Sequence, residues 1–194
     1  MIIYVTKQTF ERYKLKLPED LKPPMNELAQ AVMEKESGDK LCEWGGKLFY
    51  FDGRKCIQIV NFASKFTLFL VDVKMKDLLD IGDYIVKYLF DIYSTDEKME
   101  KALEHMFEEH QLMCFSKLKD RSIIATLNTT QTRFADDGYY FYDFIMDGIL
   151  HTREINHKVN FDWLFTMQNN GKTDYFYAGE KFRDLVLEKY GGSK

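Results

Sequence analysis

The chain has 194 residues, 45% apolar and 30% charged, with a net charge of −4. A chain of this size buries roughly 70% of its unfolded surface, enough for one domain with a core, and its acidity disfavours nucleic-acid binding driven by bulk charge. The three cysteines (Cys42, Cys56, Cys114) lack metal-ligand spacing and read as reduced thiols of a cytoplasmic protein, and the apolar run at residues 1–5 is too short for a signal peptide or a membrane span.

Residues 2–5 read as a strand, followed by Thr6 as the cap of a short helix carrying Phe10 and Tyr13. A charged, proline-containing connector leads to a helix that starts near Pro24, carries Met25, Leu28, Val32 and Met33, and stops at Gly38. Residues 43–61 then hold two aromatic and β-branched runs around Asp52-Gly53, a dipeptide suited to a tight hairpin turn. That turn lifts the adjacent cations Arg54 and Lys55 to the end of the ribbon. Alternation puts Phe49 and Phe51 on one face and Leu48 and Tyr50 on the other, so both faces of the sheet are expected to be covered. A third strand is expected at 66–71.

Helical spacing returns at 76–90 (Leu78, Leu79, Ile85, Leu89) and again after Thr95, read as a cap, with Met99, Leu103, Met106 and Phe107 on one stripe. Residues 111–115 read as a further strand, and Asp120-Arg121-Ser122 as a capped helix start. Beyond residue 135 the chain becomes aromatic and acidic, with tyrosines among Asp136, Asp137, Asp143, Asp147, Asp162 and Asp174. There 159–167 reads as a strand, Asn169-Asn170-Gly171 as a turn, 172–177 as the returning strand and 180–190 as a final helix. The expected fold is α+β: a small antiparallel β-meander packed by helices, with a C-terminal β-hairpin plus helix. Residues 1–135 form its core, and 136–194 an aromatic and acidic lobe of the same domain.

A strand ending in Thr6-Lys7, then Trp44, Arg54-Lys55, Asn61, Arg121-Ser122 and Leu127-Asn128, resembles in that order an uncharacterised bacterial family. That family is a domain of unknown function found in bacterial genomes, plasmids and phages. The resemblance covers about residues 1–134 and makes the aromatic lobe an addition. It implies no established activity. Small proteins of mobile elements include anti-CRISPR proteins that disable Cas9 or its guide RNA, and this analogy of genetic setting makes inhibitory binding the expected function. The expected partner is a protein or ribonucleoprotein, a Cas9–guide RNA complex first among them.

The binding residues expected for that role are Arg54, Lys55, Trp44, Arg121 and Asn128. Lys65, Lys117 and Lys119 extend the positive charge, and a helix start at Arg121 favours anions. Each has a structural alternative: surface charge for the cations, core packing for the aromatic rings, and locking of helix to sheet for Arg121 and Asn128. A rival reading is a Mg²⁺-dependent RNA nuclease. Asp52 and Asp72 leave two parallel-running strands of the meander at the same sheet edge, with Lys74 beside them, which are the ligand and cation types that metal-assisted phosphodiester cleavage uses. The bland explanation of Asp52 is the turn itself. A third reading is a structural or regulatory module without nucleic-acid contact. No cofactor is expected outside the nuclease reading.

Overall fold

The computed structural model describes residues 1–51, 53–74, 77–78, 80–138, 140–147, 149–169 and 171–192. Strands β1 (Ile2–Val5), β2 (Glu43–Phe51), β3 (Arg54–Asn61), β4 (Thr67–Leu70) and β5 (Cys114–Lys117) form a sheet in the order β4-β3-β2-β1-β5. The expected meander is present: β2 pairs antiparallel with β3, and β3 with β4. The N-terminal strand enters parallel to both β2 and β5, which makes the sheet mixed.

Helices α1 (Lys7–Arg12), α2 (Met25–Glu36), α3 (Ile81–Ile92), α4 (Glu97–Glu109), α5 (Arg121–Asp136), α6 (Thr152–Phe161) and α7 (Ala178–Tyr190) enclose the sheet. Strand alternation assigns the two faces. Ile3, Val5, Trp44, Leu48, Ile57, Ile59, Leu68 and Leu70 share one core with residues of α3, α4 and α7, including Ile85, Leu103 and Phe182. On the opposite face Ile2 packs with Ala29 and Val32 of α2. Val60 packs with Ile123 and Leu127 of α5, and Phe69 with Ile155 and Val159 of α6. Gly45 of β2 is what lets α5 approach, since a Cβ there would collide with Ile123. The fold is α+β with both sheet faces covered, and its C-terminal hairpin β6 (Leu164–Asn169) and β7 (Lys172–Tyr177) leads into α7.

Three local expectations are corrected. Residues 159–161 belong to helix α6, and the strand expected over 159–167 begins only at Leu164. Ile155 and Val159 mark the buried helix face, but Asn156 and Asn160 lie beside them and are fully buried too, so the apolar stripe is interrupted by amides. Asp96 rather than Thr95 caps α4, its Oδ1 accepting from Met99 N at 3.2 Å. The strand expected at 111–115 is displaced to Cys114–Lys117, because pairing with β1 runs from Ile2–Cys114 to Val5–Lys117. Lys76 and Leu79 of the expected 76–90 helix lie outside the described residues.

The two asparagines finish the sheet. Asn160 Oδ1 accepts from Thr67 N at 2.8 Å and its Nδ2 donates to Thr67 O at 2.7 Å. Asn156 repeats the pairing on Phe69, with Oδ1 accepting from N at 2.7 Å and Nδ2 donating to O at 3.4 Å. Side-chain amides thus occupy the outer edge of β4 as a neighbouring strand would, and they satisfy backbone groups that burial would otherwise leave unpaired. Asn160→Ala strands both Thr67 groups and is expected to lower stability by about 2–3 kcal/mol. Urea unfolding checks the loss. The Asn156→Ala/Asn160→Ala pair is expected to add concentration-dependent light scattering as the β4 edge opens, and wild-type behaviour in both assays contradicts the edge role.

Candidate functional site

The β2–β3 tip is fixed by its register, in which Phe51 stands opposite Arg54 and Tyr50 opposite Lys55. Directly opposed residues share a face and successive residues alternate, so the two adjacent cations part. Arg54 is exposed on the α6 side, whereas Lys55 turns to the other face, with Nζ 5.8 Å from the centre of the Tyr13 ring. On the Arg54 side a 3-10 turn, Phe141–Phe144, lies against the tip. Phe51 meets Phe141 at 5.0 Å and Tyr142 at 4.8 Å between ring centres. Phe141 also contacts Phe49 and Phe69, which anchors the turn to the sheet. Asp143 Oδ2 accepts from Tyr140 N at 2.7 Å and caps the turn.

This arrangement leaves Tyr140 58%, Tyr142 56% and Met146 43% exposed, with Tyr142 against Phe51, the residue that stands opposite Arg54. Two features that lie far apart in the chain, the basic hairpin turn and the aromatic segment, therefore make one surface. The chain around the aromatic segment also carries the exposed carboxylates Asp136, Asp137, Asp143 and Asp147.

The other expected residues lie elsewhere. Trp44 is wholly buried, 5.8 Å from Phe182 between ring centres. Asn128 joins α5 to the sheet, its Oδ1 accepting from Lys47 Nζ at 2.8 Å. Arg121 is exposed at the start of α5, with no carboxylate in ion-pair range among the described residues. Lys65 instead ties the segment between β3 and β4 to α5: it is buried, and its Nζ donates to Ser122 Oγ at 3.0 Å. Burial holds the Lys65 ammonium below its ordinary pKa. Lys117 and Lys119 are exposed, Lys117 lying over the Phe10 ring.

Asp52 lies outside the described residues. Asp72 is exposed with φ +55°, and Lys74 is exposed with its N–H donating to Asp77 Oδ2 at 2.9 Å. Among the described residues, the side chains close enough together to hold a cation are Glu36, Asp39, Cys42 and His110, a group that does not include Asp72.

Two features escaped sequence reasoning. The first is an open, largely apolar cavity of about 630 Å³ between the connector after α1, α2 and β5. Met25, Leu28 and Leu112 are half-exposed within it, Ala29, Val32 and Phe115 line its wall, and Lys14 and Lys16 are the charged side chains of its lining among the described residues. Met25 and Leu28 fall on the ordinary apolar stripe of α2, so the sequence does not separate them from its packing face. The second is a buried polar chain. His110 Nδ1 lies 2.7 Å from Glu36 Oε1, His110 Nε2 lies 2.7 Å from the Tyr190 hydroxyl, and that hydroxyl lies 3.8 Å from Cys42 Sγ. Its members come from positions 36, 42, 110 and 190, so no local spacing announces it.

Burial raises the pKa of all three thiols. Cys42 rises well above the ordinary thiol range, with Asp39 adding to the effect, and Cys114 rises to about 11. Cys114 alone of the three lines the open cavity. A thiol-specific aromatic disulfide reagent is therefore expected to modify Cys114 first, and Cys42 and Cys56 only as the protein unfolds. Peptide mapping of the labelled chain checks the order, and equal labelling of all three thiols in the native protein contradicts it.

A mixed five-stranded sheet, helices on both its faces and a surface-exposed aromatic tip define a globular α+β domain, in which no described helix is long and apolar enough to cross a membrane. The chain belongs to the family described as Domain of unknown function (DUF6933), whose sequence profile matches residues 2–181. The match runs through the aromatic segment and both C-terminal strands, so these lie within the family's span and are not an addition to it. No curated protein matches the chain.

Proposed function

We propose that the chain is a protein-binding module that acts in a reducing, cytoplasmic compartment. Its contact surface is the β2–β3 tip together with residues 140–146. The observation that carries this reading is the Phe51–Tyr142 contact at 4.8 Å, which sets an exposed tyrosine against the strand residue opposite Arg54. Tyrosine and arginine dominate the energetics of protein interfaces, because they bury large areas while keeping a polar tip. The surrounding carboxylates suit a partner with basic surface, and the three unpaired, buried thiols suit the compartment.

Inhibition of a nucleic-acid-guided nuclease of the Cas9 type is one form of this function, since such an enzyme offers a basic channel to an acidic, tyrosine-rich surface. The nuclease alternative has less support: Asp72 and Lys74 are solvent-exposed, without a converging group of cation ligands among the described residues.

The 630 Å³ cavity favours a second reading, binding of a small amphipathic anion. Its apolar wall would take a hydrocarbon or aromatic body, and Lys14 and Lys16 an anionic head.

Arg54→Ala and Tyr142→Ala are each expected to weaken partner binding about tenfold while leaving the melting temperature nearly unchanged, because both side chains are exposed. Two assays check this: retention of host proteins on immobilised wild type against the double variant, and target-DNA cleavage by Cas9–guide RNA in the presence of each. Identical captured proteins together with undiminished cleavage under wild type would remove the tip from the function. Saturable, Lys14- and Lys16-dependent binding of a fluorescent fatty acid would move the reading to the cavity.

A further inference from the structure

Glu36, Asp39, Cys42 and His110 come together from three separate segments, with one ligand atom from each lying within 4.8 Å of the others. Glu36 ends α2, Asp39 and Cys42 lie on the loop that returns to β2, and His110 follows α4. Glu36 and His110 have side chains only 3% exposed, and Cys42 is fully buried. The polar chain already described satisfies Glu36 Oε1, but Glu36 Oε2 is buried without any hydrogen-bond partner. An ionised carboxylate oxygen left so is costly, since burial without a partner forfeits its hydration. It lies in the group of side chains best suited to answer it with a cation.

We propose that these four residues form a binding site for a zinc-class divalent transition metal, which ties α2, the loop at 39–42 and the end of α4 together. The donor set decides the metal class. A thiolate and an imidazole beside two carboxylates suit Zn²⁺ or Co²⁺ and not the all-oxygen shells of Mg²⁺ or Ca²⁺. Charge also suits a cation: Glu36, Asp39 and a Cys42 thiolate carry three negative charges, against which stand the divalent ion, Lys189, which pairs with Asp39, and Lys35, 3.9 Å from Glu36 Oε1. Tetrahedral zinc separates its ligand atoms by about 3.3–3.7 Å. The widest gap in the group must therefore close by about 1 Å, and the 2.7 Å Glu36–His110 contact must open slightly, both within reach of side-chain rotation. Tyr190 completes the site from outside, its hydroxyl holding the second ring nitrogen of His110 as an outer partner commonly orients a metal-bound histidine. Metal binding displaces the Cys42 proton, which burial and the neighbouring Asp39 otherwise retain.

Titration of the metal-free full chain with Co²⁺, followed by absorption, tests the site. The expected result is one equivalent bound, with a near-ultraviolet thiolate-to-cobalt band and the intense visible bands of a tetrahedral ion, all removed by Zn²⁺. The band should persist in Cys56→Ala/Cys114→Ala and vanish in Cys42→Ser. Tyr190→Phe should keep the band and weaken affinity about 10–100-fold. Should Cys42→Ser fail to fold by circular dichroism, the wild-type spectrum and the Cys56→Ala/Cys114→Ala spectrum still decide the matter. Absence of a thiolate band in wild type, or its loss in Cys56→Ala/Cys114→Ala, overturns the proposal and leaves the group a hydrogen-bonded buried chain.

Discussion

The two amide-to-backbone pairings between α6 and β4 determine where most of the C-terminal third can sit. Asn156 and Asn160 bond the backbone of Phe69 and Thr67, so α6 is held in register with the sheet edge and not merely pressed against it. That register places Ile155, Val159 and Trp163 around Phe69, and the same cluster receives Phe141 and Phe144. Phe141 in turn reaches Phe49 and Phe51 at the hairpin. The aromatic tip is thus the far end of a chain of contacts whose first link is two side-chain amides. Hydrogen bonds supply direction here, which burial of apolar area alone does not.

Much of the fold was legible because its signals are local. Asp52-Gly53 between apolar runs announces a hairpin, and the described part of the turn has Gly53 at φ +72° as such a turn requires. Thr6 and Asp120 cap α1 and α5 as their positions suggest, accepting from Thr9 N and Ile123 N. Alternation along β2 correctly indicates a sheet covered on both faces. Helix α6 was not legible, since a helical face built from two aliphatic and two amide side chains carries no clean period. Its asparagines make sense only once a strand edge lies beside them.

The site was legible only in pieces. Arg54 and the tyrosines after residue 139 stood out separately, and only tertiary packing brings Phe51 against Tyr142. The doublet Arg54-Lys55 divides because a strand turns alternate residues to opposite faces, a rule that outweighs adjacency. Trp44, prominent in the sequence, belongs to the core with Phe182. The group around His110 was invisible for a different reason: it joins residues 36 to 190 through long-range contacts and leaves no spacing to find.

The placement of β1 bears on how the chain is made. Ile2–Val5 lies between β2 and β5, neighbours that follow it by some forty and more than a hundred residues. During synthesis this apolar strand leaves the ribosome well before either flank exists, and α7, whose Phe182 and Val186 close the main core, follows later still. The nascent protein therefore carries an apolar segment without both strand neighbours until residues 114–117 have been made. Contacts so distant in sequence slow folding, and the interval exposes the chain to misassociation. Shielding of the nascent chain until its distant partners exist then matters to how much of it reaches the folded state.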